Sequence, residues 1–554
     1  MDANGNVFVT GKFEGSVTFG STLLVSAGGT DVFVAKWDAT AQSFTWATRG
    51  GGNSLDEGNS IAVQGTNVYV TGSYAGGPTT NVSFAGQTLS GSSSITLFVA
   101  KYIDTSTGHT SANSGFADGW VTSSQGTGEV RGRGIAVQHT GVFVTGSFTS
   151  NNSNTVIAGQ ALTGAGNYDL FVAKYIDTST GNTTATSSFA NGWATSGGGT
   201  GGDIGTSIAV SGTDVYITGS FTGGSNARIA GQALGGTVVA DRDMFVAKYV
   251  DTSTGNTTAT SSFANGWATS GGGDGDDQGN CIAVSGRGVF VTGEVGGRAL
   301  TSTAFIAGRN LTTAGGFYPD MFLAKYVDTS TGNTTATSSF ANGWATTGGG
   351  SNIDIGCGLA VRGTAVFVTG GFTSGFNARF AGQALGTGMN DDLFVAKYID
   401  TSTGNTTATS SFANGWATSA SSNSFVRGYA LTVSGQQLYV VGYTVRPATF
   451  GTFTVGTASS GSIGFLARLT DPALPLATQK ITDVPFVLYP NPTTGVSCLL
   501  GTIPGAAVLV LDALGRTVAT DTADATGAAK VPGGLAPGLY LVHSGGRVAR
   551  LMVE

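Results

Sequence analysis

The chain has 554 residues, of which 91 are glycine, about 16% against a usual share of roughly 7%. Charged residues make up 10%, hydrophobic residues 40% and aromatic residues 10%, and the formal net charge is −7. These figures exclude collagen, for which a strict Gly-X-Y period is missing, and disorder, since apolar surface is ample; 25 scattered Lys and Arg give no phosphate-binding stripe for nucleic acid. No run of about 18 apolar residues marks a membrane span. No segment keeps the i, i+3, i+4, i+7 spacing of an amphipathic helix, and glycine opposes long helices. The composition therefore predicts an all-β chain of short strands and glycine-built turns.

At the start of the chain, Met1-Asp2-Ala3-Asn4-Gly5-Asn6 has neither the basic nor the apolar region of a signal peptide, which by itself reads as cytoplasmic. A repeat begins at once. Val7-Phe8-Val9-Thr10-Gly11 recurs as Val68 to Gly72, Val142 to Gly146, Val215 to Gly219, Val289 to Gly293, Val366 to Gly370 and Leu438 to Gly442, with closing glycines 61, 74, 73, 74, 77 and 72 residues apart. A second anchor, Phe33-Val34-Ala35-Lys36, keeps the same count at Phe98, Phe171, Phe245, Phe322, Phe394 and the variant Phe465-Leu466-Ala467-Arg468. An Ile/Leu-Ala-Val strand (Ile61, Ile135, Ile208, Ile282, Leu359, Leu431) and a tryptophan strand (Trp46, Trp120, Trp193, Trp267, Trp344, Trp416) occur six times each.

Each unit thus reads as four strands separated by Gly, Ser, Asn and Asp turns. Such a sheet cannot bury both faces alone, so units must stack, and seven four-stranded units can close into a ring. The expectation is a seven-bladed β-propeller over residues 1–470; the rival is an open solenoid. The first copy lacks its first strand and the seventh its last, so Met1 is expected not to be the natural start. Between the second and third strands lies a variable stretch around Ala158-Gly159-Gln160-Ala161-Leu162. Between the third and fourth, the segment from Asp177 to Trp193 is repeated letter for letter from Asp251, Asp328 and Asp400, which points to recent duplication of whole blades or to a shared surface.

In register, the glycine pair, Ile-Ala-Val, Gly-x-x-Val-Tyr-Val-Thr-Gly and Asp-x-Phe-Val-Ala-Lys resemble the bacterial β-propeller repeat family often called SBBP. The resemblance covers about residues 1–470 and implies an extracellular or surface protein without a shared assigned activity. Proline-bearing residues 471–485 read as a linker. Residues 486–554 read as a small β-sandwich of alternating strands with a Pro-Asn-Pro-x-x-Gly turn and a Pro-Gly turn. This stretch looks like the type A C-terminal sorting domain of the type IX secretion system of Bacteroidota. Carried over from that resemblance as signal elements are Tyr489, Pro490, Asn491, Pro492, Gly495, Asp512, Gly515, Arg516, Gly538, Tyr540 and the terminal Arg550-Leu551-Met552-Val553. The resemblance implies the type IX secretion machinery as a partner, and a location outside the cell or on the outer-membrane surface of a Gram-negative bacterium. It also implies a cleavable signal peptide upstream, so one truncation explains both N-terminal gaps.

Chemistry is thinly represented. His109, His139 and His543 stand near no nucleophile motif, and no Gly-x-Ser-x-Gly, His-Glu-x-x-His or phosphate loop occurs. Cys281, Cys357 and Cys498 have no CxxC spacing and predict no disulfide framework. Asp56, Asp203, Asp277 and Asp354 lie five residues before the first-strand Ile or Leu; they form either a carboxylate ring on one face or caps of their own turns. Asp31, Asp169, Asp243, Asp320 and Asp392, each two residues before the Phe anchor, read as turn caps. Asp274, Asp276 and Gln278 match half of a calcium loop, but Ser285 stands where the Glu should be, so Ca2+ is a weak candidate and no other cofactor is expected. The tryptophans read as blade packing rather than sugar platforms. The sequence thus predicts a monomeric, non-catalytic secreted or surface scaffold for adhesion or binding to an extracellular protein or glycan. The alternatives are an extracellular polysaccharide-active enzyme using channel carboxylates, or a purely structural surface-layer component.

Overall fold

A computed structural model describes the chain except residues 77–80, 91–93, 106–115, 150–153, 179–188, 225, 237–240, 254–261, 299–301, 315–316, 331–339, 374–376, 387–389, 403–410, 457–460, 475–486, 501, 503–505, 513–514, 525–527 and 545–546. Every regular element among the described residues is a β-strand, and the strands pair antiparallel within their sheets. No helix among them is long and apolar enough to cross a membrane. Two compact units result, Met1–Leu476 and Ala477–Glu554.

The first unit is built from one main sheet per repeat, the sixth extended by two short strands of the seventh copy, Ala448–Phe450 and Phe453–Val455. In the fourth copy Ile204–Ser211, Asp214–Thr222, Arg242–Asp251 and Phe263–Gly271 hydrogen-bond in that order. Ile208, Ile217, Ala247 and Ala268 form one cross-strand row. Met244 through Val250 on the third strand are buried on both faces, which requires cover from both sides and explains why the chain carries so little charge. The cover is the neighbouring sheet: one core cluster joins Phe143, Leu170, Val172 and Trp193 of the third copy to Val215, Ile217 and Phe221 of the fourth.

The Val-Thr-Gly motif has a chemical reason. Thr218 Oγ1 donates to the carbonyl of Phe245 at 2.7 Å, and Thr10, Thr71, Thr145, Thr292 and Thr369 do the same to their own Phe anchors. The glycine is steric: a Cβ on Gly219 would lie 1.9 Å from the carbonyl oxygen of Ile204. The variable stretch also has a defined form, a two-residue hairpin in which Ala230 (φ +47°) and Gly231 (φ +74°) both take the left-handed conformation of a tight turn. Ala230 tolerates it because its N–H donates to the buried Tyr249 hydroxyl at 3.0 Å. The letter-for-letter insertions lie largely outside the described residues.

The first sheet has three strands, Val7–Phe13, Asp31–Asp38 and Ser43–Gly50, and the seventh has Val426–Ser434, Gln437–Thr444 and Ile463–Thr470. These two sheets meet, since Arg468 Nη1 donates to Gln42 Oε1 at 2.5 Å and the Gly5 backbone lies against Ser434.

Asp471 and Leu474, inside the stretch that reads as a linker, are buried in the first unit. The rest of that stretch lies largely outside the described residues. In the second unit Val487–Tyr489, Ser497–Leu500 and Ala529–Val531 form one sheet; Thr517–Thr522, Ala507–Leu511, Gly538–Ser544 and Arg547–Val553 form another. Leu499, Val508, Val542 and Leu551 fill the space between them.

Candidate functional site

The repeated charges are used between sheets. Lys36, Lys101, Lys174, Lys248, Lys325 and Lys397 each reach an Asp that follows the third strand of the next copy: Asp104, Asp177, Asp251, Asp328, Asp400 and Asp471, at 2.6 to 2.7 Å. Trp193 and Trp344 Nε1 donate to the same carboxylates, Asp251 and Asp400, at 3.1 Å. Each Lys also sits over the Phe or Tyr of its own second strand, 5.7 to 5.9 Å from the ring centre. Burial pushes Asp328 and Asp400 up, but hydrogen bonds from the lysine, joined by Ser330 and Tyr216 at Asp328 and by Ser402 and Trp344 at Asp400, outweigh it and hold both below the usual carboxylate range. Trp193 and Trp344 are therefore clasps between sheets, whereas the indole N–H groups of Trp120 and Trp267 are buried without such a partner and those side chains serve packing.

The two Asp series meet at the same junctions. A Cβ on Gly51 would lie 2.4 Å from Asp31 Oδ1 and 2.6 Å from Asp56 Oδ2; at Gly198 the neighbours are Asp203 and Asp169, at Gly272 Asp277 and Asp243, at Gly349 Asp354 and Asp320. Gly52, Gly199, Gly273 and Gly350 donate their N–H to the carboxylate four residues on, at 2.7 to 2.8 Å. Burial, with the facing carboxyl adding to it, pushes Asp56 and Asp203 up to about 6 and Asp277 and Asp354 up to about 8, against the opposing backbone donors. Asp31 faces Asp56, and Asp320 faces Asp354, across those glycines, so each carboxyl disfavours the charge of the other. They are buried junction elements: Asp31, Asp56, Asp277 and Asp354 have no exposed surface.

One junction departs from the pattern. Between the fourth and fifth sheets lies a cavity of about 580 Å³ lined by Asp241, Arg242, Asp276, Glu294, Arg298 and Phe317, with glycine backbone and Pro319. Arg242 Nη2 pairs with Asp276 Oδ2 at 3.0 Å while its backbone N–H donates to Asp276 Oδ1 at 3.1 Å. Arg298 pairs with Asp241 through Nη2. Burial pushes Asp276 up, but hydrogen bonds from Arg242 and the charges of Arg242 and Arg298 outweigh it and leave its carboxyl below the usual range. Burial raises Glu294, and the charges of Arg242 and Arg427 oppose that rise. Where Glu294 stands, the other copies carry Lys12, Ser73, Ser147, Ser220, Gly371 and Tyr443; where Arg242 stands they carry Thr30, Ile95, Tyr168, Pro319, Asp391 and Ser462. Of this set the sequence singled out only Asp276, and as a calcium ligand; Asp241, Arg242, Glu294, Arg298 and Phe317 escape notice because they repeat nowhere and come together only across two sheets.

The calcium-loop residues do not converge. Asp276 is turned to Arg242, Asp274 Oδ1 accepts the Arg298 backbone N–H at 3.3 Å, and Gln278 Nε2 donates to Asn280 at 2.7 Å. Among the described residues no three His, Cys, Asp or Glu side chains are grouped to hold a metal ion.

In the second unit the sorting residues form two turns and a clip. Asn491 Nδ2 donates to the Arg550 carbonyl at 2.7 Å and its Oδ1 accepts the Met552 N–H at 2.9 Å, so Tyr489-Pro490-Asn491-Pro492 is tied to the terminal strand. Tyr489 stays 76% exposed, while Leu551 and Val553 are core. Asp512 closes a turn by accepting the Arg516 backbone N–H at 2.9 Å and its Nε at 2.7 Å, with Gly515 at φ +78°. Tyr540 donates to the Ala536 carbonyl at 2.8 Å across Gly538 (φ +157°). Gly495, with no neighbour where a Cβ would stand, follows the parallel bridge of Thr493 to Val553.

No family model matches the chain, and no curated protein matches it. Among solved structures it is similar to PorZ of Porphyromonas gingivalis, an essential bacterial surface component of the type-IX secretion system, at 10% identity and a TM-score of 0.15, covering 98% of this chain and 86% of that chain. A superposition this weak carries no inference about fold or function.

Proposed function

We propose that the first unit is a closed seven-bladed β-propeller serving as a non-catalytic binding scaffold outside the cell, and that the second unit is its type IX sorting signal. The observation that carries the binding reading is the contrast between charges: the repeated ones are used inside the fold, while a set found in one copy lines a cavity. Closure is supported by the meeting of the first and seventh sheets at Arg468 and Gln42. Export is supported by the resemblance of residues 486–554 to sorting domains and by the clip that joins the two ends of that motif.

A hydrolase is the second reading, favoured by three carboxyl groups, Asp241, Asp276 and Glu294, in one cavity. It is the weaker reading because Asp241 and Asp276, although ionised, are each engaged by an arginine, so neither carboxylate is free to attack or to activate water beside Glu294. Two measurements test the proposal. In a Bacteroidota host with a working type IX system, the chain preceded by a signal peptide is expected at the cell surface or in the medium. Removal of residues 486–554 is expected to leave it in the periplasm; unchanged export would overturn the sorting assignment. Incubation of the full chain with polysaccharides is expected to release no reducing ends, and release abolished by E294Q would establish the hydrolase instead.

A further inference from the structure

The cavity between the fourth and fifth sheets holds an unmet demand. Asp241 is 5% exposed, and its Oδ1 accepts from Arg298. Its Oδ2 is buried with no hydrogen-bond partner among the described residues, and Asp241 belongs to the wall of the cavity. A buried acceptor without a donor is unfavourable, so the wall favours a ligand that brings a hydrogen-bond donor.

The rest of the wall restricts what that is. Arg242 and Arg298 are each balanced by an aspartate, and Glu294 adds a further carboxyl, so an anionic ligand meets no surplus of positive charge. A cationic ligand meets two guanidinium groups. A ligand with many hydroxyls meets what it needs, because each ion pair presents guanidinium donors beside carboxylate acceptors within one hydroxyl-to-hydroxyl span. Phe317, 70% exposed at the rim and followed by the half-exposed Tyr318, offers an aromatic face to the apolar side of a sugar ring. The volume, about 580 Å³, lies within the range of small-ligand sites.

We propose that this cavity binds a neutral saccharide, with Asp241 Oδ2 accepting a ligand hydroxyl, Arg242 and Arg298 donating to ring substituents, and Phe317 stacking on the sugar. The site rests on the binding-scaffold reading and gives that scaffold its ligand class. Its position also separates it from the tryptophans, which are enclosed between sheets.

The test uses the full chain against an array of neutral gluco- and manno-oligosaccharides of a few rings, beside a sulfated series, with titration calorimetry on the best neutral binder. Binding to neutral members is expected, and D241A and F317A are each expected to weaken it about tenfold or more. Tyr168→Ala, an exposed change on the third sheet, is expected to leave it unchanged. Phe317 is at the surface, so F317A keeps the test valid where D241A disturbs folding, and thermal melts of each variant report that. Binding that persists in both variants overturns the cavity assignment while the scaffold reading stands. Preference for the sulfated series, or no glycan binding at all, overturns the saccharide assignment; binding of a protein ligand in that case would leave the scaffold reading intact.

Discussion

Lys101 shows what a single repeated residue does. It is fully buried, its Nζ lies 2.6 Å from Asp177 of the next sheet, and the Tyr69 hydroxyl donates to the same carboxylate at 2.6 Å. Replacing a buried ion pair by apolar groups is often neutral, whereas removing one partner strands the other. K101M is therefore expected to destabilise the first unit by about 3–5 kcal/mol, seen as a lower thermal midpoint. K101M combined with D177N is expected to recover much of that loss, since no charge is then stranded and the amide oxygen that replaces the carboxylate still accepts from Tyr69. Equal loss in the single and double variants would refute the clasp. The lysine was legible in the sequence as a period, but its partner was not: the six pairs are 68 to 80 residues apart, and nothing local in Phe-Val-Ala-Lys says which Asp it meets. The same holds for the cavity, where Asp241, Glu294 and Phe317 come together only because two sheets face each other.

At the level of strands and turns, the paired carboxyl groups set a pH dependence. Asp277 and Asp354 rise from an ordinary value of 3.8 to about 8, and Asp56 and Asp203 to about 6, chiefly because burial disfavours the charged form. A carboxyl raised on folding keeps a proton that the unfolded chain has already released. Its contribution to stability is complete below 3.8 and is lost as pH climbs toward the folded value. The lysine-bound Asp328, Asp400 and Asp471 run the other way: lowered on folding, they stabilise above 3.8 and lose that effect as the medium becomes more acid. The thermal midpoint is therefore expected to peak near pH 4 and to fall up to about pH 8. The double variant D277N/D354N is expected to flatten the fall between about 6 and 8 while leaving the portion below 6 set by Asp56 and Asp203. A midpoint constant across that range would show that the pairs are not protonated in the fold. Both Asp series were visible in the sequence as separate sets, one read as turn caps and the other as turn caps or a carboxylate ring. Their pairing was hidden because Asp31 and Asp56, or Asp243 and Asp277, belong to different sheets and meet only over a glycine between them.

Across the whole first unit the junctions are not equal. Six of them carry a lysine that reaches an aspartate over a buried span. Where the seventh sheet meets the first, Arg468 takes the lysine's place and donates to Gln42, an exposed contact. The seventh sheet, with three strands, brings no tryptophan strand to this seam, whereas Trp193 and Trp344 donate across theirs. Exposed polar contacts contribute about 1 kcal/mol or less, so this seam is the weakest joint of a unit held elsewhere by buried clasps. The order and number of sheets were legible because the repeat anchors keep their spacing; the inequality of the joints was legible only in the exchange of Lys for Arg at position 468. Hydrogen exchange read by mass spectrometry is accordingly expected to be fastest, among the strand segments of the first unit, in Val7–Phe13 and Val426–Ser434, and slowest in Arg242–Asp251 and Asp320–Asp328, which are buried on both faces. A further variant sharpens the point: R468A is expected to speed exchange in those two seam strands and leave the fourth and fifth sheets unchanged. Uniform protection around the unit would mean that the seam is held by something stronger than Arg468 and Gln42, and faster exchange in the fourth sheet than at the seam would overturn the ranking of the joints.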